Sequence, residues 1–170
     1  MRTLSTLILL FVLHLATAQD KSFTTATSPD GKYSINHLKG WIPTFNSANA
    51  EMIIKANTGN IENIPLQVAL TKESNIATTL TLEDFSTRNF LLIKNLLNAT
   101  VAEKGSAKIN GAEAQWTTYT YETNERSMKA IVYFFIQNGN AYQLVIHSAE
   151  SDFKSMEPAL RQVAESLTIK

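Results

Sequence analysis

Two histidines, His37 and His147, are the residues of this chain best suited to acid–base chemistry, because imidazole titrates near neutral pH. His37 follows the first predicted strand. His147 alternates with Gln143 and Val145 in the last one, a pattern typical of a sheet residue whose ring nitrogens are satisfied locally. A hydrolase would have to pair one of them with a distant carboxylate, and no spacing in the sequence selects that carboxylate. A hydrolase that uses His37 or His147 is therefore our alternative hypothesis.

Other catalytic signatures are missing from the sequence. No HxH or HExxH spacing supplies metal ligands, no GxSxG motif activates a serine, and no P-loop or GxGxxG motif cradles a phosphate. The chain has no cysteine, which excludes thiol chemistry and disulfides. The acids Glu83-Asp84, and Glu150 with Asp152, fall where predicted helices start and suit the helix dipole. The sequence predicts no catalytic, cofactor-binding or metal-binding residue.

The first eighteen residues have the pattern of a secretory signal peptide. A basic start is followed by an apolar run from Leu7 to Leu13, and Ala16-Thr17-Ala18 has the small-x-small pattern that signal peptidase reads. The apolar run is far shorter than the roughly 20 residues that span a bilayer. We predict cleavage between Ala18 and Gln19, which places the mature chain in the periplasm or outside the cell.

The composition fits one domain, residues 19–170, with no electrostatic attraction to polyanions. The chain has 15 basic and 15 acidic residues, interspersed, and a formal net charge of +0. This balance argues against binding of nucleic acid or of an anionic lipid surface. Without cysteine, no lipid can be attached at the cleavage site, so we expect no stable membrane anchor after processing.

The first segment with helical periodicity is Leu82–Leu97, for which Thr81 is a suitable N-cap. Its apolar arc comprises Leu82, Phe85, Phe90, Leu92, Ile93, Leu96 and Leu97. Leu91 is the one large apolar residue that points away from this arc. We expect the arc to be part of the core.

The second such segment is Phe153–Leu167, with Ser151-Asp152 as the predicted cap. Pro158 lies inside the pattern. The helix therefore either kinks at Pro158 or begins near Ser155, with the proline in its first turn.

The remaining segments predict strands that form an antiparallel sheet. These strands are Tyr33–Ile35, Glu51–Ala56, Leu66–Thr71, Thr100–Ile109, Ala112–Glu122, Met128–Ile136 and Ala141–His147. Asn110-Gly111 and Asn138-Gly139 indicate hairpins. The run Ala130–Ile136 is apolar at odd and even positions, so its strand should be covered on both faces. With one helix on each face, the predicted fold class is α+β, a single-domain α/β/α sandwich with a central antiparallel sheet.

Three aromatic residues, Trp116, Tyr119 and Tyr121, lie in one predicted strand, with Trp116 on the opposite strand face from the other two. Packing in a doubly covered sheet accounts for all three residues. A binding surface is the less favoured interpretation.

Three segments of the sequence, Lys32–Trp41, Ile109–Ala114 and Val163–Leu167, resemble the PsbP-like superfamily. Lys32–Trp41 is similar to its opening strand and the turn that follows, although Leu38 stands where the family usually has proline. Ile109–Ala114 is similar to the hairpin before its long central strands, and Val163–Leu167 resembles its last helix. The resemblance covers nearly all of residues 19–170, while residues 42–50 match none of its motifs.

This resemblance implies a fold and a general mode of action. PsbP is an extrinsic subunit of photosystem II, a related nuclear import factor binds a small GTPase, and many bacterial relatives are exported. Their shared property is protein binding without catalysis, through residues that differ between branches. We therefore expect a non-catalytic binding or accessory protein of the cell envelope, or a secreted one, whose partner is another envelope protein. The alternative is the small envelope hydrolase described above.

Processing provides the first testable prediction. Replacing Ala18 with a bulky residue should leave an uncleaved, membrane-held precursor, because the peptidase pockets accept only small side chains. N-terminal sequencing or the intact mass of the exported chain measures the outcome. A mature form that retains Leu7 to Leu15 would contradict both the cleavage site and the expected location.

Overall fold

The computed structural model describes residues 22–57, 66–123 and 126–170, which form ten strands and two helices. The predicted signal peptide and the predicted Ala18–Gln19 cleavage site lie outside these residues. Within them, no helix is long and apolar enough to cross a membrane.

The strands form two antiparallel sheets. They are β1 (Phe23–Thr27), β2 (Tyr33–Leu38), β3 (Trp41–Ser47), β4 (Ala50–Ala56), β5 (Gln67–Glu73), β6 (Thr100–Ile109), β7 (Ala112–Thr123), β8 (Arg126–Gln137), β9 (Asn140–Ala149) and β10 (Thr168–Ile169). The large sheet has the order β3-β4-β5-β9-β8-β7-β6, and the small one has the order β1-β2-β10. Helix α1 (Leu82–Leu97) lies between β5 and β6 in the chain, and α2 (Glu150–Glu165) lies between β9 and β10.

Strand β8 is buried on both faces, as the sequence predicted. Tyr133 and its neighbour Phe135 belong to the core cluster that includes Phe153 of α2. Val132 and Phe134 belong to a second cluster, on the side of α1. Since successive side chains of a strand point to opposite faces, the two helices lie on opposite sides of the large sheet. The predicted α/β/α sandwich is confirmed, and the small sheet packs on the α2 side.

The two predicted hairpins are also confirmed. Asn110 and Gly111 join β6 to β7, and Asn138 and Gly139 join β8 to β9. All four residues have positive φ, between 50° and 79°. Asparagine and glycine tolerate this conformation best, and it matches the twist of the flanking strands.

Three strands, β1, β3 and β10, were not predicted. Strand β10 has only two residues, and β1 is rich in exposed threonine. Strand β3 covers residues 42–47, for which the sequence analysis predicted no element. It carries Pro43, which has no backbone N–H; an edge strand tolerates proline because one of its sides forms no hydrogen bonds with a neighbouring strand. His37 lies within β2 rather than after a strand. These short edge segments lack the apolar alternation on which strand prediction depends.

Helix α1 has the predicted bounds and cap, but only part of its predicted arc is buried. The Thr81 hydroxyl accepts a hydrogen bond from the Asp84 N–H at 3.0 Å. On a helical projection Leu96 points in nearly the same direction as Phe85, yet Leu96 is 81% exposed and Phe85 only 2%. Leu92 and Leu97 are exposed as well. The prediction that these three leucines belong to the core is wrong, because the last turns of α1 are not covered by the sheet.

Helix α2 starts earlier than either predicted alternative. Its N-cap is Ala149, which makes no side-chain capping bond, so the cap assigned to Ser151-Asp152 is wrong. The helix begins at Glu150, which excludes a start near Ser155, and it continues through Pro158. The Glu150 carboxylate accepts a hydrogen bond from the Ser127 hydroxyl of β8 at 2.6 Å, which ties the helix start to the sheet.

The double burial of β8 predicts a large loss of stability on truncation of either face. Phe134→Ala and Phe135→Ala should each lower the free energy of unfolding by about 3–5 kcal/mol, from lost burial and the cavity left behind. Chemical denaturation measures this change. Ile42→Ala, at an exposed position, serves as the control and should change it by about 0.5 kcal/mol or less. A loss below about 1 kcal/mol at both phenylalanines would contradict a central position for β8.

Candidate functional site

The two histidines do not form an acid–base site. His37 is buried in β2, with Nδ1 3.0 Å from the carbonyl oxygen of Leu38. His147 is mostly buried, and its Nδ1 forms a 2.8 Å hydrogen bond with the Tyr121 hydroxyl. In the part of the chain that the structure describes, neither ring bonds to a carboxylate, and no three His, Asp or Glu side chains are grouped as metal ligands. The hydrolase hypothesis therefore has no catalytic geometry to support it.

The aromatic side chains of β7 are divided between the two faces of the sheet, as predicted. Tyr119 packs edge-on against Phe90 of α1, at a ring separation of 5.8 Å, and Tyr121 lies beside it. Trp116 packs with the core on the α2 side. Tyr119 is buried, and packing alone accounts for its position. Trp116 is half-buried and lies at the rim of a groove.

Trp116 is fixed between the edge strand and α2. Its indole lies against Gly105 of β6 so closely that a Cβ at that position would be 2.5 Å from Trp116 Cζ2. Its Nε1 donates to the Ser106 carbonyl at 3.2 Å. On its other side the Arg161 guanidinium is 4.2 Å from the ring centroid and is held by Glu157 at 2.6 Å. Strand β6 is thus secured from the α2 side.

On the α1 side an open groove of about 480 Å³ separates α1 from β6 and β7. We call it the α1–β6 groove. Its apolar walls include Phe90, Leu91 and Val101. The Ser86 hydroxyl donates to Gln115 Oε1 at 2.5 Å, a bond that ties α1 to β7 at the groove.

The α1–β6 groove is cationic. Lys94 of α1 and Lys104 of β6 both line it, and no acidic residue does. Neither lysine belongs to an ion pair formed among the described residues. The Lys104 ammonium lies 5.8 Å from the centroid of the Phe90 ring, so one charge sits directly above an apolar wall. An apolar surface with two unpaired cations suits a ligand that carries both apolar and acidic groups.

A second exposed surface lies on the other side of α1. Leu92 and Leu96, one helical turn apart, are 54% and 81% exposed. Each is two residues from Lys94 in the helix, and therefore points nearly away from the groove. We call this pair the leucine flank.

Sequence reasoning identified little of either surface. Lys94 does not belong to the predicted apolar arc, and Lys104 lies within a predicted strand, so neither lysine stands out in the sequence. Leu91, the apolar residue that pointed away from the arc, was the available signal. It is 52% exposed in the structure and lines the groove.

The resemblance of the sequence to the PsbP-like superfamily is confirmed. The chain belongs to the PsbP family, whose pattern matches residues 21–169. No curated protein matches the sequence significantly.

Several solved structures share the fold at low sequence identity. The cyanobacterial PsbP (CyanoP) of Synechocystis is 14% identical with a TM-score of 0.62, over 91% of this chain and 96% of that one. LpqN of Mycobacterium tuberculosis, described as involved in cell envelope biogenesis, is 15% identical with a TM-score of 0.65, over 88% and 91%. The Ran-binding protein Mog1p of Saccharomyces cerevisiae is 6% identical with a TM-score of 0.59, over 88% and 96%.

The environment of His147 predicts a pH dependence of stability. Burial lowers the pKa of His147 below its ordinary value, so the unfolded chain binds the proton more readily than the folded one. The free energy of unfolding should therefore fall as the pH drops below about 6.5. His147→Asn should reduce this slope relative to the unsubstituted chain, as measured by denaturation at pH values between about 7 and 5. Equal slopes would contradict a buried, neutral His147.

Proposed function

We propose that this chain is a non-catalytic accessory protein of the cell envelope, or a secreted one, that acts by binding another envelope protein. Membership of the PsbP family supports this function, because the resemblance implies binding without catalysis. The descriptions of two fold relatives, LpqN in envelope biogenesis and Mog1p as a Ran-binding protein, are consistent with it. The signal-peptide pattern of residues 1–18 supports the location.

The observation that carries the proposal is the leucine flank. Leu92 and Leu96 expose large apolar side chains side by side, on helix turns that the sheet does not cover. Burial of a leucine side chain stabilises by about 1.5–3 kcal/mol, a gain that this chain does not obtain from its own fold. Clustered exposed apolar side chains mark interaction sites more often than isolated ones do.

Site-specific photocrosslinking tests the proposal. With p-benzoylphenylalanine in place of Leu96, the exported chain should form an adduct of defined mass with an envelope protein upon irradiation. An excess of the unsubstituted chain should compete for the adduct. A Leu92→Ser/Leu96→Ser chain should compete much less well, because it lacks the apolar contact.

The control carries the same crosslinker at Gln162, an exposed residue of α2 on the opposite side of the sheet. Adducts that form equally at both positions, or none above background at position 96, would contradict a binding role for the leucine flank.

A further inference from the structure

We infer that the α1–β6 groove binds an extended, acidic segment of the partner protein, which presents apolar side chains and carboxylates on the same face. This inference rests on the proposed binding function and names the chemistry that the partner must present. It uses a different side of α1 from the leucine flank, so the two can be tested separately.

The position of the groove favours an extended segment. Strand β6 is the outermost strand of the large sheet, and residues 100–104 are all exposed. An edge strand pairs through only one side, so part of its N–H and C=O groups point outwards. A chain lying along this edge would direct every second side chain into the groove, where both the apolar walls and the two lysines lie.

Two features keep such backbone pairing short. The β6–β7 ladder has a register shift between Val101 and Glu103, where an edge strand is locally kinked. Farther along, the Ser106 carbonyl is already engaged by the Trp116 indole. Regular pairing is therefore confined to a few residues around Lys104. Side-chain chemistry in the groove, more than a long ladder, must set the affinity.

Charge complementarity selects an acidic occupant. Lys94 and Lys104 line the groove without a carboxylate beside them. By contrast, Lys108, two positions beyond Ser106 on the same face of β6, is paired with Glu113 at 3.4 Å. A second copy of this chain at the same edge would bring its own groove lysines to the interface, with no groove acid to offset them. The lysines thus disfavour self-association and favour an acidic partner.

Peptide titration with the processed chain tests the inference. The probes are capped heptapeptides with threonine at every second position. At the positions between, valine alternates with glutamate, glutamine or lysine, so that the apolar and the polar side chains point to one face. The glutamate peptide should bind about tenfold or more tightly than the glutamine peptide at low salt, and the lysine peptide should not bind. In a Lys94→Glu/Lys104→Glu chain this order should reverse, with the lysine peptide favoured over the glutamate peptide.

A Lys55→Glu/Lys154→Glu chain is the matched control. It makes the same change in net charge at exposed lysines on β4 and α2, away from the groove. This control should keep the order of the unsubstituted chain. Equal affinity for the three peptides, or the same reversal in both double variants, would overturn the inference.

Other occupants of the groove give distinct results. If the groove seats a second copy, light scattering will show a dimer that the Lys94→Glu/Lys104→Glu change dissociates. If it seats lipid, phosphatidylglycerol vesicles will bind the chain in a Lys94- and Lys104-dependent way while the glutamate peptide does not. Either result would overturn the inference.

The two proposals fail separately. An adduct at position 96 that persists in the Lys94→Glu/Lys104→Glu chain, with no preference for the glutamate peptide, would refute the groove and leave the binding function standing. Glutamate-peptide binding that the same charge reversal abolishes, without any adduct at position 96, would support the groove and refute the leucine flank.

Discussion

The rest of this structure depends on the burial of β8 on both faces. Its side chains alternate between two apolar clusters, with Tyr133 and Phe135 towards α2 and Val132 and Phe134 towards α1. Each helix buries an apolar face against this strand and its neighbours, so β8 determines where both helices lie. Helix α1 packs mainly on β7 and β8, whereas α2 packs on β8 and β9 and reaches β6. The two faces of the edge strand β6 therefore have different surroundings, although both helices pack on the same central strand, β8.

The position of α1 leaves apolar surface uncovered on both of its sides. A helix of 16 residues is about 24 Å long. Its first turns bury Phe85 against Phe134, with ring centroids 5.8 Å apart. Its later turns carry Leu96 past the region that the sheet covers. A periodicity argument assigns every residue of one arc to the core, because it contains no information on where the opposing surface ends.

Features that depend on adjacent residues could be predicted from the sequence, whereas features that depend on residues far apart in the chain could not. Local signals succeeded: Thr81 capped α1, and Asn110-Gly111 formed its hairpin, because both depend on a few adjacent residues. The groove depends on a chain reversal instead. Asn98, with a φ of 49°, ends α1 so that β6 can run back beside it, and this brings Lys104 to the groove already lined by Lys94. Nothing in the spacing of the two lysines shows that they share one surface. Only Leu91, an apolar residue on the otherwise polar side of α1, indicated an apolar surface on this side of the helix.

The asymmetry of the edge strand explains why the groove opens towards α1. On the α2 side the Trp116 indole fills the space above Gly105, and Arg161 covers the indole in turn. Any side chain at position 105 would displace the ring, so glycine is required for this face of β6 to be closed. On the α1 side an open groove separates β6 from α1, and the Lys104 ammonium lies over the Phe90 ring. A strand held firmly on one face and open on the other is a rigid wall for a ligand. Rigidity lowers the entropic cost of binding, because the groove does not have to be ordered when the partner arrives.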